Sequence, residues 1–416
     1  MTQPRTPSTK PLSWWRDADS TAHRALIAAG AGWMLDAMDI SLYTCAILEI
    51  GKEFDLSLMG SGAVAAAPLL ASALGGTCAG FLADRFGRTR MLTFSILAFS
   101  IFTACTATSQ NVWQLVVWRV LVGLGMGAEW SCGAVLLAET WPAQHRGKAI
   151  GLMQSGWAIG YILAVLLTRW IVPYWGWRAL FVVGVVPALL VFWIRRSLPE
   201  PGVWKRTARA PLRDTLATLS RAPYLRRAVV ATATASALLF AYWGLFSWVP
   251  GFLAKPIEEG GAGLSIVKSW RWIVPMQIGA FFGYAAFGFL ADRLGRRPTF
   301  IAFVVIAAVL VPIYGHSARD QTTLMLLGPL VGFFGHGYFS VFGSMLAELF
   351  PTSIRGGAQG LCYDAGRAFS ALAPITIGAI ADRRGLGVAL GFTSILFILG
   401  ACLIILLPET RAKEIA

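Results

Sequence analysis

Charge is what this sequence has least of. Only 13% of its 416 residues are Asp, Glu, Lys or Arg, while 56% are hydrophobic. A soluble domain carries about 25% charged residues, so this chain has roughly half the solvating groups a water-borne fold of this length needs. That excludes an ordinary soluble enzyme and a disordered chain. Cysteine is also sparse: Cys45, Cys78, Cys105, Cys132, Cys362 and Cys402 lie in apolar stretches with no Cys-x-x-Cys spacing, which points to packing rather than a metal site or a disulfide framework. No Gly-x-x-x-x-Gly-Lys-Ser/Thr loop, metal-ligand cluster or nucleophile triad occurs, so no cofactor, metal or enzymatic chemistry is expected. The polar residues 1–19 contain no signal-peptide core. What remains is a polytopic membrane protein.

Crossing the hydrocarbon core takes about 20 apolar residues in a helix. Runs of that size occur at 24–48, 58–82, 90–108, 112–138, 148–172, 175–195, 228–253, 268–291, 298–315, 322–347, 357–381 and 387–407. The chain therefore reads as an all-α membrane protein of twelve spans; the ten-residue alternating segments of a β-barrel are missing. Placing both termini in the cytoplasm assigns most of the 35 Lys and Arg residues to cytoplasmic segments, as the positive-inside rule requires. The net charge of +14 thus reflects helix flanks facing a lipid bilayer, not nucleic-acid binding. The spans divide six and six around a basic stretch that includes Arg196, Lys205, Arg206, Arg209, Arg213 and Arg227. Residues 1–195 and 228–416 are expected to form two six-helix bundles. Residues 196–227 are expected to be a solvated cytoplasmic linker near anionic headgroups, with Pro199, Pro201 and Pro211 opposing one long helix.

The sequence repeats itself. Gly80-Phe-Leu-Ala-Asp84-Arg85-Phe-Gly87-Arg88 recurs as Gly288-Phe-Leu-Ala-Asp292-Arg293-Leu-Gly295-Arg296. Ala138-Glu139-Thr-Trp-Pro142 with Arg146-Gly147 recurs as Ala347-Glu348-Leu-Phe-Pro351 with Arg355-Gly356, at the same offset to within one residue. Two homologous halves in parallel topology follow, with a binding site expected between them near mid-membrane. The doubled G-x-x-x-D-R-x-G-R loop resembles the signature of the major facilitator superfamily. So do Arg119-x-x-x-Gly123-x-Gly125-x-Gly127 and the closing Pro408-Glu409-Thr410. Within it, Leu35-Asp36-Ala-Met-Asp39, Gly127-Ala-Glu129-Trp130 and Tyr363-Asp364-Ala-Gly-Arg367 resemble bacterial proton symporters of organic acids, including lactate, sialate and aromatic-acid carriers.

The loop motif has a physical reading of its own. Gly80 and Gly288 allow a neighbouring helix to approach closely; Asp84 and Asp292 can meet the positive N-terminus of such a helix; the following arginines can pair with Glu139 or Glu348. The resemblance implies that these contacts form when the cytoplasmic side closes. Gly80, Asp84, Arg85, Arg88, Glu139 and Arg146, with Gly288, Asp292, Arg293, Arg296, Glu348 and Arg355, are therefore expected to be a conformational latch.

Ionisable residues inside spans are few, and each needs a partner or water because a charge at a helix centre costs about 2.5–3.5 kcal/mol on insertion scales. Asp36 and Asp39, three apart, share a helix face, and Asp39 and Arg119 lie at similar depth from the outer surface, so an ion pair is feasible. Protonating the aspartate would free the arginine; a permanent ion pair is the alternative. Glu129 is either a proton site or a partner of Arg119, and His336 either a proton relay or a packed neutral ring. Asp36, Asp39, Arg119, Glu129 and His336 are the proton-coupling candidates. Arg367 lies near the midplane, where a guanidinium suits a carboxylate, with Asp364 on the same face and Tyr363 adjacent. Arg271 is a second anchor candidate, although its shallow position also fits a snorkelling side chain.

Of seventeen tryptophans, Trp113, Trp141, Trp170, Trp175, Trp177, Trp193, Trp248, Trp270 and Trp272 fall near span ends, where an interfacial belt would account for them. Trp33, Trp130, Trp157 and Trp243 lie deeper. With Gln154 and Gln277 they complete the substrate-binding candidates, an apolar wall with few polar groups. The expected function is import of a small organic anion with protons by alternating access, as a monomer. A sugar or polyol symporter and a drug antiporter are the alternatives.

Overall fold

The computed structural model describes residues 13–142, 145–186, 188–197, 217–222, 224–265, 267–350 and 354–409. No strand occurs among them, as expected of a chain whose backbone must satisfy its own hydrogen bonds in lipid. A short α1 (Ser13–Arg16) precedes α2 (Ser20–Glu53), α3 (Leu58–Phe86), α4 (Arg88–Thr106), α5 (Val112–Thr140), α6 (Arg146–Val183) and α7 (Ala188–Ser197). The second half comprises α8 (Tyr224–Phe246), α9 (Val249–Ala254), α10 (Trp270–Leu294), α11 (Arg296–His316), α12 (Gln321–Gly337), α13 (Phe339–Glu348), α14 (Arg355–Ser370), α15 (Leu372–Arg384) and α16 (Leu386–Ile405).

Twelve crossings emerge once interrupted helices are joined, and the interruptions have local causes. Spans 7 and 11 each divide in two (α8–α9 and α14–α15) just ahead of Pro250 and Pro374, which lack the N–H that Phe246 and Ser370 carbonyls would receive in an unbroken helix. Span 10 divides between α12 and α13, where Gly337 packs so tightly that a Cβ there would lie 2.7 Å from the Gly283 carbonyl oxygen. Spans 5 and 6 run together in α6, and the chain turns at Gly176 (φ 70°, ψ 178°). Polar caps start several helices: Asp19 accepts from the Ala22 N–H at 2.7 Å, Asn111 from Gln114 at 3.0 Å, and Asp320 from Thr322 and Thr323. Hydrogen bonds from Thr323 and then Thr322 hold the Asp320 carboxyl below its usual range.

Helix contacts fall into two matching sets. In the first half α2 packs on α6, α3 on α5, and α4 on α5 and α7; in the second, α8 packs on α14, α10 on α12, and α11 on α12 and α16. Close approach of α3 and α5 depends on small residues: a Cβ at Gly123 would run into the Pro68 backbone, 2.6 Å from its Cα. The two sets meet where α3 lies along α14 and α15, where α6 lies along α10 and α13, and where α9 touches α2. This seam holds the site.

Four of the tryptophans expected in the lipid belt are instead buried. The Trp141, Trp248 and Trp272 indoles donate to the carbonyls of Ala22, Pro374 and Gln321, and Trp177 donates to the Glu53 carboxylate at 2.6 Å. Their N–H groups tie helix ends together, work that lipid cannot do. Trp113, Trp170 and Trp175 are exposed, as a belt requires.

Candidate functional site between the two helix sets

Five of the ionisable residues expected inside the spans, Asp36, Asp39, Arg119, Glu129 and Arg367, are buried and form two groups about one helical turn apart along α2. The first lies wholly in the N-terminal set. Asp39 of α2 accepts a hydrogen bond from Thr103 Oγ1 of α4 and faces Arg119 Nη1 of α5 at 3.6 Å. The guanidinium also lies 5.2 Å from the Tyr43 ring centroid and 6.0 Å from that of Phe181, close enough for attraction to the ring faces. Nothing in the sequence pattern singled out Thr103 as the third member.

The second group straddles the seam. Asp36 is fully buried, and neither carboxylate oxygen has a hydrogen-bond partner; the same holds for both oxygens of Glu129. The charges acting on Asp36 are those of Arg367 and Asp39, and those acting on Glu129 are Asp36 and Arg367. Arg367, from α14 of the opposite set, is 3% exposed. Glu129 therefore belongs with Asp36 and Arg367, not with Arg119. Its carboxylate lies in a notch beside Gly32 of α2, where any Cβ would collide with Oε1. Asp364 is half-buried and accepts from Thr77 Oγ1 of α3 at 3.3 Å. It therefore reaches across the seam, in addition to feeling the charge of Arg367.

An aromatic wall adjoins these charges. Trp33 and Trp157 have ring centroids 4.7 Å apart, Trp157 and Trp243 5.9 Å, and Trp243 and Tyr242 5.3 Å. The chain of rings runs from α2 through α6 to α8 and so bridges the two sets. Buried polar atoms without hydrogen-bond partners are Gln154 Oε1, one turn from Trp157 on α6, and both amide atoms of Gln277 on α10. Gln154 Nε2 donates weakly to the Phe339 carbonyl at 3.4 Å, and the Tyr161 hydroxyl donates to the Phe246 carbonyl at 2.9 Å, both across the seam. Buried orphan donors and acceptors of this kind are costly unless a ligand or water meets them. Tyr363 is buried near the Phe342 ring.

Other candidates stand apart. The His336 ring is packed against Phe246 at 4.0 Å, Tyr242 at 5.1 Å and Tyr284 at 6.1 Å, with Nδ1 on the Gly332 carbonyl. Its described neighbours are aromatic, and the carboxylates are not among them. Arg271 is exposed in the first turn of α10, 5.8 Å from the Trp270 ring centroid, where its side chain suits the snorkelling reading better than that of a buried anchor. The Trp130 side chain lies outside the described residues.

The latch is described only in part. Arg296 pairs with Glu348, and Glu409 of the Pro-Glu-Thr segment accepts from the Arg296 and Arg297 backbone N–H groups at 3.2 and 3.0 Å, which fastens the 8–9 loop to the end of the chain. Arg293 is exposed. Among the described residues nothing lies within 4 Å of a Cβ placed at Gly288. The side chains of Gly80, Asp84, Arg85, Arg88, Glu139, Arg146, Asp292 and Arg355 lie outside the described residues.

The sequence profile described as Major Facilitator Superfamily matches residues 30–267 and 272–416. The chain belongs to that superfamily. It is 34% identical over 411 residues to the probable 4-methylmuconolactone transporter of Cupriavidus pinatubonensis, covering 97% of this chain and 94% of that protein. It is 32% identical over 401 residues to the cis,cis-muconate transport protein of Acinetobacter baylyi, covering 94% of each. The crystal structure of a D-xylose-proton symporter superposes with a TM-score of 0.74 at 20% identity over 95% of this chain and 100% of that one, a likeness of fold alone. This superfamily protein is a transporter rather than an enzyme, and a multi-pass protein of the bacterial inner membrane.

Proposed function

We propose that the chain imports a small organic anion together with protons by alternating access, as a monomer with both termini in the cytoplasm. Residues 1–195 and 228–416 act as two lobes joined by the linker 196–227. The observation that carries this reading is the group Asp36, Glu129 and Arg367, buried together and contributed by both helix sets.

Its charge balance gives a mechanism. With both acids ionised, Arg367 is neutralised from within and an incoming carboxylate meets net negative charge in a medium of low dielectric, where repulsion is strong. Protonation of both Asp36 and Glu129 frees the guanidinium, whose planar fork then takes the substrate carboxylate, so that the three side chains and the substrate carboxylate sum to zero charge. Anion and proton thus enter the same site together, and reorientation of a neutral complex costs less than that of a charged one. The aromatic wall receives the apolar body of the substrate, and Gln154 and Gln277 supply hydrogen bonds. Asp39 and Arg119, held in one lobe, serve as a second proton-sensitive switch. Relatives named for muconate and methylmuconolactone, both organic acids, support the substrate class.

Thermal-shift measurement on the purified protein tests this reading, using monocarboxylates, dicarboxylates, aromatic acids and sugars at two pH values. Acids are expected to stabilise the protein more at the lower pH, with no effect on Arg367→Ala. Stabilisation by sugars alone, retained in Arg367→Ala, would favour a sugar symporter.

A further inference from the structure

The loop motif occurs a third time, on the opposite face of the molecule. Gly378-Ala-Ile-Ala-Asp382-Arg383-Arg384-Gly385 repeats the spacing of Gly80, Asp84 and Gly87 and of Gly288, Asp292 and Gly295. Its backbone repeats it too. Gly87, Gly295 and Gly385 have φ of 107°, 102° and 81° with ψ of 153°, 155° and 157°, and each is the N-cap of the following helix. These positive φ values are ones that only glycine adopts without strain. The third copy ends α15, at the outer end of span 11 in the orientation assigned by the basic residues.

Both Asp382 carboxylate oxygens accept backbone hydrogen bonds at 2.9 Å from Leu58 and Met59, the first two residues of α3. A carboxylate from one lobe therefore caps the positive helix end of the other. Gly378, one turn earlier, makes the approach possible: a Cβ there would lie 3.0 Å from Met59 Cα, and one at Gly62 of α3 would lie 2.7 Å from the Pro374 carbonyl carbon. Elsewhere along the seam the Arg169 guanidinium of α6 sits 4.4 Å from the Trp270 ring centroid of α10, a second tie between the helix sets.

We propose that Asp382 is the outer latch of the transporter, the inverted counterpart of the motif at the inner end of α3. Spans 2 and 11 are antiparallel neighbours. The inner end of one carries the motif, and the outer end of the other carries it against the start of the first. The Asp382 bonds hold the outer side closed and break whenever that side opens. Their strength sets the balance between outward-open and outward-closed forms.

The test uses the full chain in nanodiscs with exposed Cys78 and Cys402 replaced by Ala and spin labels at Gln110→Cys and Arg319→Cys, exposed outer positions on opposite lobes. Asp382→Ala is expected to raise the long-distance population on the order of three- to fivefold, the scale of one helix-end charge contact. Adding Ser57→Asp to Asp382→Ala restores a carboxylate at the start of α3 without the tie between lobes, and the distances are expected to stay long. An unchanged population in Asp382→Ala overturns the proposal. So does a return to short distances with Ser57→Asp, because Asp382 would then be a helix cap only. If Asp382→Ala does not fold, Asp382→Asn keeps the shape without the charge and must show a smaller shift of the same sign; no shift overturns the latch. The proposal rests on alternating access, which a second label pair on the inner face at Lys148→Cys and Leu294→Cys checks separately. Inner and outer distances that do not change in opposition defeat alternating access itself, whereas opposed distances insensitive to Asp382 defeat only the latch.

Discussion

Asp36 and Asp39 differ by one turn of a single helix, yet their surroundings have little in common. Asp39 is held inside one lobe by Thr103 and Arg119. Asp36 has no hydrogen-bond partner, and the cationic charge acting on it comes from the other lobe. A carboxylate whose partners lie in its own lobe keeps them as the lobes move, so its protonation acts through the packing of that lobe. One whose countercharge lies across the seam changes its environment whenever the lobes move. In the proposed mechanism Asp36 is thereby coupled to substrate and conformation together, and Asp39 to the packing of spans 1, 3 and 4.

The largest effect is expected at the cation that makes this difference. Arg367→Ala should weaken organic-acid binding more than about 30-fold, since removing one partner of a desolvated charge pair costs about 2–5 kcal/mol. Arg367→Lys, which keeps the charge and loses the fork, should cost about tenfold. Isothermal titration with a responsive acid reads both, and equal affinity in all three proteins would remove Arg367 from the site. Next come the two aspartates. Asp36→Asn should alter substrate affinity and flatten its pH dependence, whereas Asp39→Asn should leave affinity near wild type and abolish proton-driven accumulation while downhill exchange continues. If the two variants behave alike in binding, the contrast drawn between them fails.

Smaller effects sharpen the picture. Gly32→Ala pushes a methyl into the Glu129 carboxylate; overpacking of this kind typically costs about 1–3 kcal/mol. A lowered Tm with a displaced pH profile of uptake is expected, and a lowered Tm alone would make Gly32 a packing residue only. Thr103→Ala removes a hydrogen bond to a charged group, worth about 1.5–3 kcal/mol before any compensation by water. It should lower Tm slightly and leave affinity intact.

Much of this architecture is legible in the residues because membrane insertion is a strict constraint. Twelve apolar runs and one internal repeat are enough to lay out the helices, and the mid-span charges mark the site because lipid tolerates so few. Depth along a helix placed Asp39 opposite Arg119. Depth says nothing about azimuth, so whether Glu129 partners Arg119 is not legible in sequence; in the fold its carboxylate lies beside Gly32 of α2 and feels Asp36 and Arg367. The tryptophans misled for a similar reason. Proximity to a span end is visible in sequence, but whether the indole turns to lipid or to a neighbouring carbonyl is decided by tertiary packing, and for Trp141 and Trp248 packing prevailed. Neutral donors such as Thr77 and Thr103 carry no sequence signal, because a threonine in a membrane helix is ordinary until a carboxylate is found beside it.

The central claim is that a buried group of opposite charges at the seam binds an organic anion and protons as one cargo. Uptake of a thermal-shift-positive acid into proteoliposomes, with the inside alkaline and the outside acidic, tests it most directly. The account predicts accumulation above the external concentration that collapses on adding a protonophore and is missing in Arg367→Ala. Accumulation that ignores the pH gradient, or that persists in Arg367→Ala, would contradict it.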